Sequence, residues 1–165
     1  MSARAAWRLE RLGFARVYRY AAGKADWLAA GLPREGKLAP FPTAGDALRR
    51  DVPTCGPDDL VGEAARRARA AGWRMCVVVG ERRVVLGVLR RKALEGDPDR
   101  RAGDVAEPGP TTFRPSELLA EMAIHLTRTG VARVLVTNPD GELLGVLERD
   151  EAIRRTGGDA GQRSG

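Results

Sequence analysis

The chain carries one stretch of sequence twice. AGDALRRDVPTCGPDDLVGEAARRARAAGWRMCVVVGERRVVLGVLRR starts at Ala44, and AGDVAEPGPTTFRPSELLAEMAIHLTRTGVARVLVTNPDGELLGVLER starts at Ala102, 58 positions on, with no gap between the two alignments. Of the 50 pairs from Ala44/Ala102 to Ala93/Glu151, 15 are identical, among them Thr54/Thr112, Pro57/Pro115, Gly72/Gly130 and the block 86–89/144–147. A duplication of this length constrains the fold more than any single motif does. Each copy must form the same supersecondary unit, and a unit that small buries its apolar face only by stacking on its twin.

Each copy reads β-α-β-β-α. A short extended piece, Val52 to Cys55 or Thr111 to Phe113, leads into Pro57 or Pro115, after which Asp58 or Ser116 is placed to cap a helix. In the second copy Leu118, Leu119, Met122 and Leu126 fall at helical spacing and form a buried stripe. Gly72 and Gly130 end the helices. Two apolar runs follow in each copy, Cys76–Val79 with Val84–Leu89 and Val134–Thr137 with Leu143–Leu147, and Asn138-Pro139-Asp140-Gly141 is a hairpin turn between the second pair. Gly87 and Gly145 interrupt the last strands, where a missing side chain points to close approach by another backbone or a ligand. A closing helix starts near Arg90 or Glu148.

The 165 residues allow one ordinary domain plus a short appendage, and 43% hydrophobic residues suffice for a core. No run reaches the roughly 20 apolar residues of a membrane span, and charges every few residues in MSARAAWRLE speak against a signal peptide. The expectation is a soluble, cytoplasmic protein. Cys55 and Cys76 belong to no CxxC pattern and His125 is the one histidine, a ligand set too small for zinc; both cysteines read as small buried hydrophobes. The net charge of +6 comes from scattered arginine pairs such as Arg66-Arg67 and Arg100-Arg101 without interleaved aromatics, so nucleic acid is not the expected partner, while small anions are favoured.

The period, the strand-Pro-helix lead-in, the segment GVARVLV (130–136) and the block LLGVLERDE (143–151) together resemble the CBS (cystathionine-β-synthase) repeat over about 110 of the 165 residues. The resemblance implies an α+β fold in which two β-α-β-β-α repeats pack with pseudo-two-fold symmetry into a Bateman module. Repeat 1 then spans 44–97 and repeat 2 spans 98–156, with a linker at 37–43 and a tail at 157–165. It further implies adenosine-containing ligands in clefts between repeats, held by a block similar to G-h-h-[ST]-x-x-D, whose hydroxyl lies near ribose or phosphate and whose Asp accepts from ribose hydroxyls. On this sequence the first repeat gives Gly87-Val88-Leu89-Arg90-Arg91-Lys92-Ala93, with Arg90 for the hydroxyl and Ala93 for the Asp. Arg90, Arg91 and Lys92 are suited to a phosphate instead. The second repeat gives Gly145-Val146-Leu147-Glu148-Arg149-Asp150-Glu151, where Glu151 stands in for the Asp and Glu148 replaces the hydroxyl. Arg133 occupies a position where such repeats carry a phosphate-directed Arg; its first-repeat equivalent is Met75.

The better site is therefore expected in the second repeat: Thr112 (Thr54 in the first copy), Phe113 and Pro115 on the base edge, with Arg133, Gly145, Leu147, Glu148 and Glu151 around it. The alternative is that Phe113 and Leu147 are core and Glu148 faces solvent. The acidic Glu148/Glu151 pair favours S-adenosylmethionine, which has a positive centre, over ATP, with AMP and ADP the other candidates.

Residues 1–36 differ from the repeats. They read as an α-β-α appendage, with helices over Ala3–Leu12 and Ala25–Ala30 and a strand over Ala15–Tyr20. The string LGFARVYRYAAGKADWLAAGLPREG (12–36) is similar to the C-terminal end of rhodanese-like domains. That resemblance implies a catalytic cysteine ahead of Ser2, outside this chain, so sulfurtransferase activity is not expected, and the appendage is too small for its own core. The two readings carried forward are a regulatory module that binds an adenosine-type ligand and signals to a partner, and a non-catalytic homodimerisation module with empty clefts. No cofactor is expected.

Overall fold

The two copies fold alike down to strand register. In a computed structural model that describes residues 8–17, 27, 32–33 and 41–157, the first repeat forms a 3-10 turn (Ala44–Ala47), β1 (Thr54–Cys55), α1 (Val61–Ala70), β2 (Cys76–Val79), β3 (Val85–Leu89) and α2 (Arg91–Leu94). The second forms α3 (Ala102–Val105), β4 (Glu107–Pro108), β5 (Thr112–Phe113), α4 (Leu119–Thr129), β6 (Arg133–Thr137), β7 (Leu143–Glu148) and α5 (Arg149–Gly157). β1 lies parallel to β2 with Thr54 opposite Val77, and β5 lies parallel to β6 with Thr112 opposite Leu135. β2–β3 and β6–β7 are antiparallel, and each has its register shift at the same place, Val78/Val79 and Val136/Thr137. The architecture is α+β with two sheets related by a pseudo-two-fold, as the duplication requires.

The repeats exchange their leading segments. The Ala44 N–H donates to the Glu117 carbonyl and the Gly45 N–H to Pro115, while Ala102 donates to Asp59 and Gly103 to Pro57. Arg49 bridges β7 opposite Val146, and β4 pairs β3 with Glu107 opposite Val88. Each sheet thus gains an edge from residues that belong, in sequence, to the other repeat. Gly87 and Gly145 make this possible: a Cβ on Gly145 would stand 2.6 Å from the Arg49 carbonyl oxygen, and one on Gly87 would stand 2.9 Å from that of Glu107. The close approach anticipated for these glycines is by backbone.

The exchange also caps the helices. α1 and α4 begin at Val61 and Leu119, three residues after the expected caps Asp58 and Ser116, and neither has a side-chain cap. Instead the Val61 N–H donates to the Arg100 carbonyl, Gly62 to Pro98, and Leu119 to Pro42. Carbonyls of the segments that lead into the opposite repeat satisfy donors that a side chain would otherwise take. In the first repeat the Arg101 guanidinium pairs with Asp58 instead.

Three apolar clusters fill the interior. One gathers α4, α5 and their sheet around Leu119, Leu126, Val136 and Leu147, and one does the same in repeat 1 around Ala64, Val78 and Leu89. The third lies between the sheets and joins Val52, Trp73, Val77 and Val88 to Leu135, Leu143 and Val146. Burying each such Val or Leu contributes about 1.5–3 kcal/mol, so the inter-repeat cluster welds the halves together. Cys55 and Cys76 are buried free thiols of the repeat 1 core; the contact with Cys55 and then burial push the Cys76 thiol above its ordinary range.

Of the N-terminal elements, 8–11 are helical and stop at Gly13, whose φ of 93° allows the Phe14 N–H to reach the Leu9 carbonyl. Residues 15–17 are irregular. The remainder of the expected elements, and the tail from 158, lie outside the described residues. No helix among the described residues is long and apolar enough to cross a membrane.

Candidate functional site

Where the two sheets diverge, a cleft of about 780 Å³ opens between the repeats. Repeat 2 supplies Phe113 from β5, His125 and Thr129 from the last turns of α4, and Val131 to Leu135 from the start of β6. Repeat 1 supplies Arg74, Met75, Val88, Arg90 and Arg91. The walls meet here because Arg90 and Arg91 follow directly on β3, which β4 pins from the other repeat. All four charged side chains on the lining are arginines: Arg74, Arg90, Arg91 and Arg133. Phe113 offers a flat face, its ring 5.3 Å from that of His125 in an edge-on arrangement.

The arginines are lightly tethered. Arg90 donates to the Glu107 carboxylate at 2.6 Å, in a pair with both side chains more than half exposed. Arg133 donates to Glu148 at 2.9 Å. Exposed pairs of this kind contribute no more than about 1 kcal/mol, so an incoming anion competes for these guanidiniums with little to overcome. The pseudo-two-fold carries Arg90–Glu107 onto Glu148–Arg49 (3.7 Å), the same pair with its charges reversed. One cleft is thereby cationic where the other holds a carboxylate.

The residues expected to form one site in the second repeat are divided between several places. Phe113, Arg133 and Arg90 share the cleft. Thr112 pairs in β5 beside Thr111, which lines the cleft, and Thr54 occupies the equivalent position on β1 without lining it. Pro115 is fully buried with its carbonyl engaged by Gly45, and Leu147 is fully buried in the repeat 2 core. Gly145 is covered by Arg49. Glu148 is held by Arg133 and Arg49, and Glu151 by Arg154 and Arg155 on α5, so neither carboxylate lines the cleft. Arg133 thus lines the cleft together with the arginines of the opposite repeat while its guanidinium is paired with Glu148, and the ribose-type acceptor at Glu151 is turned elsewhere. Arg74, Val131 and His125 were not anticipated. The signal for the first two lay in the tripeptides 73–75 and 131–133, which differ at all three positions across the 58-residue offset.

The pseudo-symmetric position is filled. Trp73, 4% exposed, stands where Val131 stands in the open cleft. The Arg49 guanidinium lies 4.2 Å and that of Arg133 5.7 Å from its ring centre. Asp51 accepts from the indole N–H at 3.4 Å, and the Arg49 guanidinium holds its carboxyl below the usual carboxylate range.

The family model of the CBS domain matches the chain twice, over residues 44–94 and 102–157. A search of curated proteins finds no match. Among solved structures, the cytosolic domain of the Mg2+ channel MgtE in complex with ATP superposes with a TM-score of 0.62 at 22% identity, over 72% of this chain and 51% of that one. CBSX2 in complex with AMP gives 0.61 at 23% identity, over 72% and 98%. The CBS pair of the Mg2+ transporter SO5017 from Shewanella oneidensis gives 0.63 at 15% identity, over 82% and 85%. The chain spans about half the length of the MgtE structure it matches.

Proposed function

The chain belongs to the CBS domain family, and from that premise we propose that it is a regulatory module that binds an adenine nucleotide through its phosphates in the cleft between the repeats and relays the bound state to a partner. The observation that carries the reading is the cleft's lining, four arginines facing an aromatic ring with no carboxylate among them. A polyanion gains a charge-assisted hydrogen bond from each guanidinium it meets, and a nucleobase stacks on Phe113. The solved likenesses in complex with ATP and with AMP support the same ligand class.

The lining also orders the candidates. The sequence favours S-adenosylmethionine on the strength of Glu148 and Glu151, but neither lines the cleft: Glu148 is paired with Arg133 and Arg49, and Glu151 with Arg154 and Arg155 on α5. A ligand with a positive centre gains nothing there, and two or three phosphates outcompete one. With no carboxylate in the lining to accept from both ribose hydroxyls, ribo- and deoxyribonucleotides should bind alike.

Calorimetry and thermal-shift titration with AMP, ADP, ATP, dATP and S-adenosylmethionine test this. ATP and ADP should bind most tightly, and a ligand at 100 times its Kd should add about 2.7 kcal/mol of stability. Arg90→Ala should weaken ATP roughly tenfold or more, the worth of one hydrogen bond to a charged group. A response to S-adenosylmethionine alone, or to none of the five, refutes the reading.

The second reading, a homodimeric interaction module, draws on exposed apolar side chains of the two long helices of repeat 2: Ile124 on α4 is 69% exposed and Ile153 on α5 is 44% exposed. Sedimentation equilibrium decides it, since Ile124→Glu should dissociate a dimer built on that face.

A further inference from the structure

A pseudo-two-fold pair presents two equivalent clefts, and here their contents differ. In the open cleft the segment entering β6 reads Val131-Ala132-Arg133, with Val131 40% exposed on the wall. The segment entering β2 reads Trp73-Arg74-Met75, and Trp73 is 4% exposed within the inter-repeat cluster, beside Val52, Val77 and Val146. Two guanidiniums, Arg49 and Arg133, lie over its ring, and Asp51 accepts from its N–H. The filled position therefore holds a flat aromatic ring among arginines, the same combination that the open cleft offers to a ligand.

We propose that Trp73 closes the second cleft with its own indole, so that each chain takes up one nucleotide rather than two. This rests on the nucleotide reading above and adds the residue that sets stoichiometry. Trp73 is fixed in place by features on three sides: the Schellman turn at Gly72 (φ 72°), which sends the Trp73 N–H to the Ala68 carbonyl at 2.8 Å, the cation–π contact with Arg49, and the hydrogen bond to Asp51. Gly130 takes the matching left-handed conformation ahead of Val131 (φ 69°), so a glycine turn precedes each segment and the side chains that follow it differ.

Two measurements test it. In a Trp7→Phe/Trp27→Phe protein, Trp73 is the one remaining tryptophan; its emission should be blue-shifted and resist acrylamide with and without ATP, and solvent-like emission overturns the proposal. Calorimetry with ATP should give one site in the unmodified chain and a second, weaker site in Trp73→Val. Val131→Trp should lose the original site while keeping its thermal transition. Two sites in the unmodified chain leave the nucleotide reading standing and overturn this one, as does an unchanged single site in Trp73→Val. No heat from the unmodified chain refutes the nucleotide reading and the stoichiometry with it.

Discussion

At the scale of residues, backbone crowding and backbone strain mark the positions with least freedom. A methyl on Gly145 would meet the Arg49 oxygen at 2.6 Å and the Leu48 Cβ at 3.2 Å, both parts of a segment that the sheet holds in place. Gly145→Ala should lower stability by about 2 kcal/mol or more, read as a shift in the urea midpoint. The hairpin turn gives the opposite case. Gly141 takes φ 82° without cost, but its first-repeat equivalent is Arg83 at φ 62°, next to Arg82 at φ 53°. A left-handed non-glycine residue costs about 1–2 kcal/mol, part of which a glycine loses again to unfolded-state entropy. Arg83→Gly should therefore stabilise the chain by about 0.5–1 kcal/mol in the same measurement. Both positions were open to inspection as glycines or non-glycines in the repeat alignment. Their energetic sign was not, because it depends on which atoms lie opposite.

At the scale of elements, the helices show where local rules give way to tertiary ones. Proline followed by Asp58 or Ser116 is a sound cap signal, yet α1 and α4 start three residues after those positions, where carbonyls of the segment leading into the other repeat reach their first N–H groups. Ser116→Ala should consequently shift stability by less than about 0.5 kcal/mol, where a true N-cap would lose about 1 kcal/mol; thermal unfolding of the single variant distinguishes the two. The strands tell a similar story. β1 and β5 are two residues long, and a strand so short has no independent stability. Their place was legible from the Thr-Cys and Thr-Phe pairs before each proline, and their pairing follows from the helix that returns the chain parallel. β4 was not legible, since Glu107-Pro108 has no strand pattern and becomes a strand by pairing with β3.

At the scale of the whole molecule, the exchanged segments and the shared cluster between the sheets make the halves dependent on each other. Neither repeat has its edge strand or its helix cap without the other, so unfolding should be a single transition, with circular dichroism and fluorescence midpoints coinciding; two separated transitions would show that the repeats are independent. The sequence by itself determined the duplication, the β-α-β-β-α order and the turns at Gly72, Gly130 and Asn138-Gly141, because periodicity, glycine and proline act within a few residues of chain. Only the tertiary structure decided how residues from the two copies combine: that Arg133 lines one cleft with Arg74, Arg90 and Arg91 of repeat 1, that Glu148 and Glu151 pair with arginines instead of lining that cleft, and that Trp73 is buried where Val131 is exposed. The physical reason is that a cleft between repeats is lined from both copies at once, and the 58-residue offset aligns the copies without telling which side chains meet across the axis.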